Sequence, residues 1–225
     1  RHLLGLSGFL LWVYAKIFLP YLPNQSGLMG HDWSIVLPAF LNGYYWILEN
    51  GPFTIPWFTA AKCGGYAYFG IEGFYSLGSI LTWFTSPIQA IQTTFLIFVG
   101  LGYLGFYWMM RHSMRASVAA SLLAAALFMF NGFSSHRMIV GHYAFHGFLL
   151  TPLIGWLLLM PSRQLWKSLA QLAAIGLSFA YMVHTPMLQI LPATLLSITA
   201  LLLLATLKEG WRRQPWLLFL GLRLP

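Results

Sequence analysis

The chain has 225 residues, of which 59% are hydrophobic and only 7% charged. A soluble domain carries about 25% charged residues, so this balance excludes an ordinary soluble globule and indicates a polytopic helical membrane protein. The net charge of +8 does not signal nucleic-acid binding, because the basic residues lie in short gaps between apolar runs and form no patch in polar surroundings. A single cysteine, Cys63, excludes an internal disulfide framework.

About 20 apolar residues cross a bilayer as a helix. The first such run is 3–22. It is long, carries Lys16 and is followed by no small-x-small cleavage site, so it reads as a span and not as a signal peptide. Further runs cover 88–110, 116–133 (Ala-rich), 145–160, 168–183 and 188–206, and 215–224 begins a seventh. The sequence starts at Arg1 and stops inside an apolar run at Pro225, which suits a piece of a longer protein. The expected fold is all-α, with six or seven spanning helices in one transmembrane domain.

Arg111 and Arg115 follow the second run, Arg163 and Lys167 the fourth, and Lys208, Arg212 and Arg213 the sixth. The positive-inside rule makes these gaps and Arg1 cytoplasmic. The stretches 23–87 and 134–146 and the turn at His184, Thr185 and Pro186 then face outward.

The outer stretch 23–87 is long but is not a polar domain. It is rich in Trp, Tyr, Phe and Gly and holds three acids, Asp32, Glu49 and Glu72. Leu37, Phe40, Leu41, Tyr44 and Leu48 make one helical stripe over 37–48, and Pro38 suits a first helical turn. Phe74, Leu77, Ile80, Leu81 and Phe84 make another over 74–85. Both predict short amphipathic helices lying in the outer interface, where Trp and Tyr are favoured. A Gly- and Pro-rich loop joins them.

A long spanning helix, an acid just beyond it and two interfacial helices in the first outer loop resemble the GT-C superfamily of membrane glycosyltransferases, and within it the YfhO-type bacterial membrane proteins. The residues that carry the likeness are HDW at 31–33, PW at 56–57, GGYAYFGIEGFYS at 64–76 and SSHRMIVGHYAFHGFLLTPLIGWLLL at 134–159. Those proteins are much longer, so the likeness covers an N-terminal part, most of 1–160. It implies a transferase in the bacterial inner membrane that moves a sugar from a polyprenyl-phosphate carrier, with membrane lipid and that donor as partners. It also implies that Asp32, by position, is the general base or the acceptor-binding acid. Some relatives use a second acidic motif and a divalent metal. Here there is no DxD, and a metal-dependent mechanism finds no support in the sequence.

Each candidate also has a plainer reading. Asp32 can take the proton of an attacking sugar hydroxyl, or it can cap the helix near Pro38 or pair with an Arg. His31 can tune Asp32 or touch phosphate, or be a polar loop residue. Glu72, set among apolar residues and glycines, needs a partner or a function; Glu49 suits a helix end in water. Arg137, the one Arg predicted on the outer side, fits a carrier phosphate or anchors to lipid headgroups. His142 and His146, four apart, would share a helical face; His142 is a substrate contact, but no complete metal-ligand set accompanies the pair. Lys16 either snorkels or faces a lipid-phosphate cavity. Trp57 and Tyr66 can stack on sugar faces or serve as interfacial anchors. The alternatives to a transferase are a non-catalytic subunit of a larger membrane complex, docking through its interfacial helices, and a lipid-linked sugar transporter, for which no inverted repeat is visible.

Overall fold

A computed structural model describes residues 2–23, 32–54, 58–59, 66–67, 76–160, 164–185 and 191–209. His31, Trp57, Glu72 and the run 215–224 lie outside the described residues, and the side chain of Tyr66 is not described either. The described chain is helical, in agreement with the all-α expectation, apart from a two-residue ladder inside the predicted loop. In that ladder β1 (Phe58–Thr59) pairs antiparallel with β2 (Tyr66–Ala67).

The first run forms α1 (His2–Phe18), extended by a single 3-10 turn, Leu19–Tyr21. The first predicted interfacial helix is longer than expected. α2 runs Trp33–Asn50, so Pro38 lies inside it, in the second turn, and not at its start. The second is shorter: α3 is only Leu77–Leu81, followed by turns to Phe84. Ser76 caps α3 by accepting the Ser79 N–H.

α4 (Pro87–Trp108) begins with a complete capping box. Ser86 Oγ accepts the Gln89 N–H and Gln89 Oε1 accepts the Ser86 N–H, with Pro87 preset for the first turn. Its 22 residues extend about 33 Å at 1.5 Å each, the thickness of a hydrocarbon core. A π-helical turn, Met109–Ser113, prolongs it. α5 (Val118–Met129) returns and breaks at Phe130–Asn131. Asn131 then caps α6 (Gly132–Val140) by accepting the Ser134 N–H at 2.8 Å. The predicted outer loop 134–146 is therefore helical, passing from α6 into a 3-10 segment, Tyr143–Leu150. α7 (Thr151–Leu159), α8 (Leu165–His184) and α9 (Leu191–Glu209) complete the order.

Among the described residues, two helices are long and apolar enough to cross a membrane, Pro87–Ser113 and Val118–Val140. The other apolar helical stretches, such as Gly5–Tyr21, Tyr143–Leu159 and Leu191–Leu204, are shorter. The count of six or seven spans is thus not met by helix length.

α4 is the hub, packed against α1, α3, α5, α7 and residues 143–150. Small residues permit the closest approach. A Cβ on Gly105 would lie 2.6 Å from the backbone N of Leu153, and one on Gly102 2.9 Å from the Leu149 carbonyl. Such contact gains dispersion energy without needing water as a driving solvent. The contacts also fix direction. Residues 143–159 run alongside α4, from His146 beside Phe95 and Phe98 to Gly155 beside Met109. α8 runs back, from Gln171 Nε2 on the carbonyls of Leu157 and Met160 to Tyr181 on Phe98. One end of the bundle therefore gathers residues 19–23, Asp32, α3 and Val140–His142. The other gathers Arg111, His112, Arg115 and Lys167.

Candidate functional site

The first end holds a carboxylate, an imidazole and a guanidinium in series. His142 Nε2 lies 2.5 Å from Asp32 Oδ2. Arg137 Nη1 lies 2.8 Å from His142 Nδ1. A guanidinium has only donors, so Nδ1 must carry the lone pair and the imidazole proton sits on Nε2, donated to the carboxylate. The side chains of His142 and Asp32 are 28% and 40% exposed, which leaves the group open to a ligand.

Local chain chemistry sets each member. α6 ends in a Schellman motif: Gly141, at φ 105, gives its N–H to the Met138 carbonyl, and the His142 N–H reaches the Arg137 carbonyl at 2.8 Å. That turn brings Arg137 and His142 to one place although they are five apart in sequence. Gly141 also allows the turn to touch the start of α2. A Cβ there would sit 2.5 Å from the Trp33 N and 2.8 Å from the Asp32 carbonyl carbon. In that gap the Asp32 N–H donates to the Val140 carbonyl at 2.8 Å. The buried Trp33 donates its indole N–H to the Met138 carbonyl at 3.1 Å. The backbones of α2 and α6 are thus joined on both sides of the Asp32–His142 contact.

Asp32 occupies the N-cap position of α2, yet its side chain makes no capping bond. The capping reading therefore fails, and the pairing is with a histidine and not directly with an arginine. The charges still suit the helix ends, with a carboxylate at the positive end of α2 and Arg137 in the last turn of α6. The Arg137 guanidinium also lies against Phe133 and Phe145, at 5.4 and 4.8 Å from the ring centroids. His142 stacks on Phe145. Phe133 and Phe145 had no signal in the sequence reading. Their positions emerge only when the 3-10 segment folds back on α6.

His146 does not join His142. Because residues 143–150 are 3-10 and not α-helical, the two imidazoles do not share a face. His146 is fully buried. Its Nδ1 is 2.6 Å from the Tyr143 carbonyl and its Nε2 2.6 Å from the Tyr181 hydroxyl. Among the described residues no three His, Cys, Asp or Glu side chains converge on a metal position. Lys16 is exposed on the face of α1 opposite Tyr14, which packs on Phe18 and Phe130 and points its hydroxyl at Met138. Among the described residues Asp32 pairs with His142 and not with Lys16.

The site thus unites three of the predicted residues, Asp32, Arg137 and His142, and leaves Lys16 out. No known protein family, curated protein or solved structure matches the chain.

Proposed function

We propose that the chain is a GT-C-like membrane glycosyltransferase, or its N-terminal part, with Asp32 as general base. The observation that carries this is the Asp32–His142–Arg137 series. It is a half-exposed carboxylate oriented by an imidazole whose own tautomer is set by an arginine. In the reaction an acceptor hydroxyl oxygen bonds to the anomeric carbon while the bond from that carbon to the carrier phosphate oxygen breaks. The hydroxyl proton passes to the Asp32 carboxylate, and polyprenyl phosphate leaves with the bonding pair. Only one Arg137 N–H is taken by His142, so the remaining donors suit the carrier phosphate. The apolar runs beyond the two long helices complete the crossing of a bacterial inner membrane. The end holding Arg111, Arg115 and Lys167 is cytoplasmic and the Asp32 end faces outward.

The test is Asp32→Asn in the full-length protein, assayed with a polyprenyl-phosphate sugar donor. General-base loss lowers transfer by about 10²–10⁴-fold, with unfolding temperature unchanged. Unaltered transfer removes Asp32 from the chemistry. The second reading, a non-catalytic subunit, draws support from α2, in which Trp33 is buried but Ile35, Tyr45 and Leu48 are exposed. Under that reading Asp32→Asn changes no reaction, and a stable partner accompanies the protein through purification.

A further inference from the structure

A buried group close to Asp32 takes no part in the proposed chemistry. The Leu77 N–H donates to the Tyr181 hydroxyl oxygen at 3.2 Å. The Tyr181 hydroxyl lies 2.6 Å from His146 Nε2, and His146 Nδ1 lies 2.6 Å from the Tyr143 carbonyl. A carbonyl only accepts, so Nδ1 carries the proton. Nε2 is then the acceptor, and the Tyr181 O–H must donate to it. Every hydrogen in the chain has one allowed place. Burial makes an unpaired alternative costly.

This chain links α3, α8 and the residue next to His142. A backbone carbonyl cannot pass a proton on, so the chain ends at Tyr143 and does not conduct to Asp32. What it can do is hold position. Tyr143 is wedged between Trp33 and Phe40 of α2 and Phe95 of α4, at ring distances of 6.5, 5.6 and 5.7 Å. Its hydroxyl fills the place where Gly78 of α3 lacks a side chain, 1.8 Å from a Cβ built there.

We infer that His146 and Tyr181 are positioning residues for the Asp32–His142 pair, pinning the 141–146 turn to α3 and α8 through the Tyr143 carbonyl. The consequence for turnover rests on the transferase reading; the consequence for the geometry of His142 does not.

The experiment uses the full chain in lipid nanodiscs with ¹⁵N-labelled histidine, resonances being assigned by single substitutions. Tyr181→Phe keeps the ring stacked on Phe98, 5.0 Å away, and removes only the hydroxyl. It is expected to shift the His142 Nε2 resonance toward that of a solvent-exposed imidazole and to lower transfer on the order of tenfold, as loosened positioning does. His146→Gln offers an amide donor and acceptor in one group and is expected to keep the native His142 signature, whereas His146→Phe loses it. An unmoved His142 resonance in folded Tyr181→Phe overturns the inference. So does a His146→Gln protein that behaves like His146→Phe, a comparison that decides the matter even if Tyr181→Phe does not fold. Absence of any transfer from a polyprenyl-phosphate sugar donor by the native protein would sink the transferase reading and leave these resonances as an independent measure.

Discussion

His142 and His146, one turn apart in sequence, hold opposite tautomers. Arg137 donates to Nδ1 of the first at 2.8 Å, whereas the Tyr143 carbonyl takes the Nδ1 proton of the second at 2.6 Å. The first therefore aims an N–H at a carboxylate, and the second aims a lone pair at a phenol. Arg137 is the residue that decides the difference. Arg137→Lys supplies a charge but loses the planar contact with Phe133 and Phe145 and the fixed direction of the donor. It is expected to lower transfer on the order of tenfold, with a second tautomer of His142 appearing in the ¹⁵N spectrum. Lys16→Gln is the control. It lies on the exposed face of α1 and should leave transfer within about twofold, since an exposed side chain away from the site changes little.

Gly141 makes the meeting of α2 and α6 possible for two reasons, its φ of 105° and the absence of a Cβ against the Trp33 N. Substitution separates them. Asn tolerates left-handed backbone better than Ala does, so if dihedral strain dominated, Gly141→Asn would be the milder change. The backbone contact at 2.5 Å cannot give way to either. Both variants are expected to lose about 3 kcal/mol or more in thermal unfolding in detergent. A mild Gly141→Asn would show that close approach is not the constraint.

Gly105 and Gly100 provide a second contrast within one helix. A Cβ at Gly105 meets the Leu153 backbone at 2.6 Å, while at Gly100 nothing lies within 4 Å. Gly105→Ala should force α4 and α7 apart at a cost of about 1–3 kcal/mol. Gly100→Ala should be neutral or stabilise by up to about 1 kcal/mol through helix propensity. Unfolding midpoints of the two variants, measured side by side, decide it; equal effects would contradict the packing described for α4.

Orientation is open to labelling in a Cys63→Ser background. Glu49→Cys, at the end of α2, should react with an impermeant maleimide added to intact cells. Arg115→Cys, in the turn between α4 and α5, should under the proposed topology react only after permeabilisation, since the positive-inside rule assigns the basic end to the cytoplasm. The opposite pattern inverts the proposed topology.

What the sequence determined by itself is the helical class of the chain and the rhythm of its apolar runs. Apolar runs separated by Arg111 and Arg115 announce helices and the breaks between them, because the cost of burying charge is a local property. They also place Asp32, Arg137 and His142 among the few polar residues that need explaining. Helix bounds were less legible. Pro38 suggested a start that α2 passes through, because the contact of Trp33 with Met138 anchors an earlier first turn. The spacing of His142 and His146 suggested a shared face, which a 3-10 segment does not provide. Only the tertiary structure decided which polar residues meet. The Asp32–His142 contact joins positions far apart in the chain, through a glycine turn whose fit against α2 is a matter of backbone approach. No residue spacing encodes that approach, because it depends on how α4 seats the helices on either side of it.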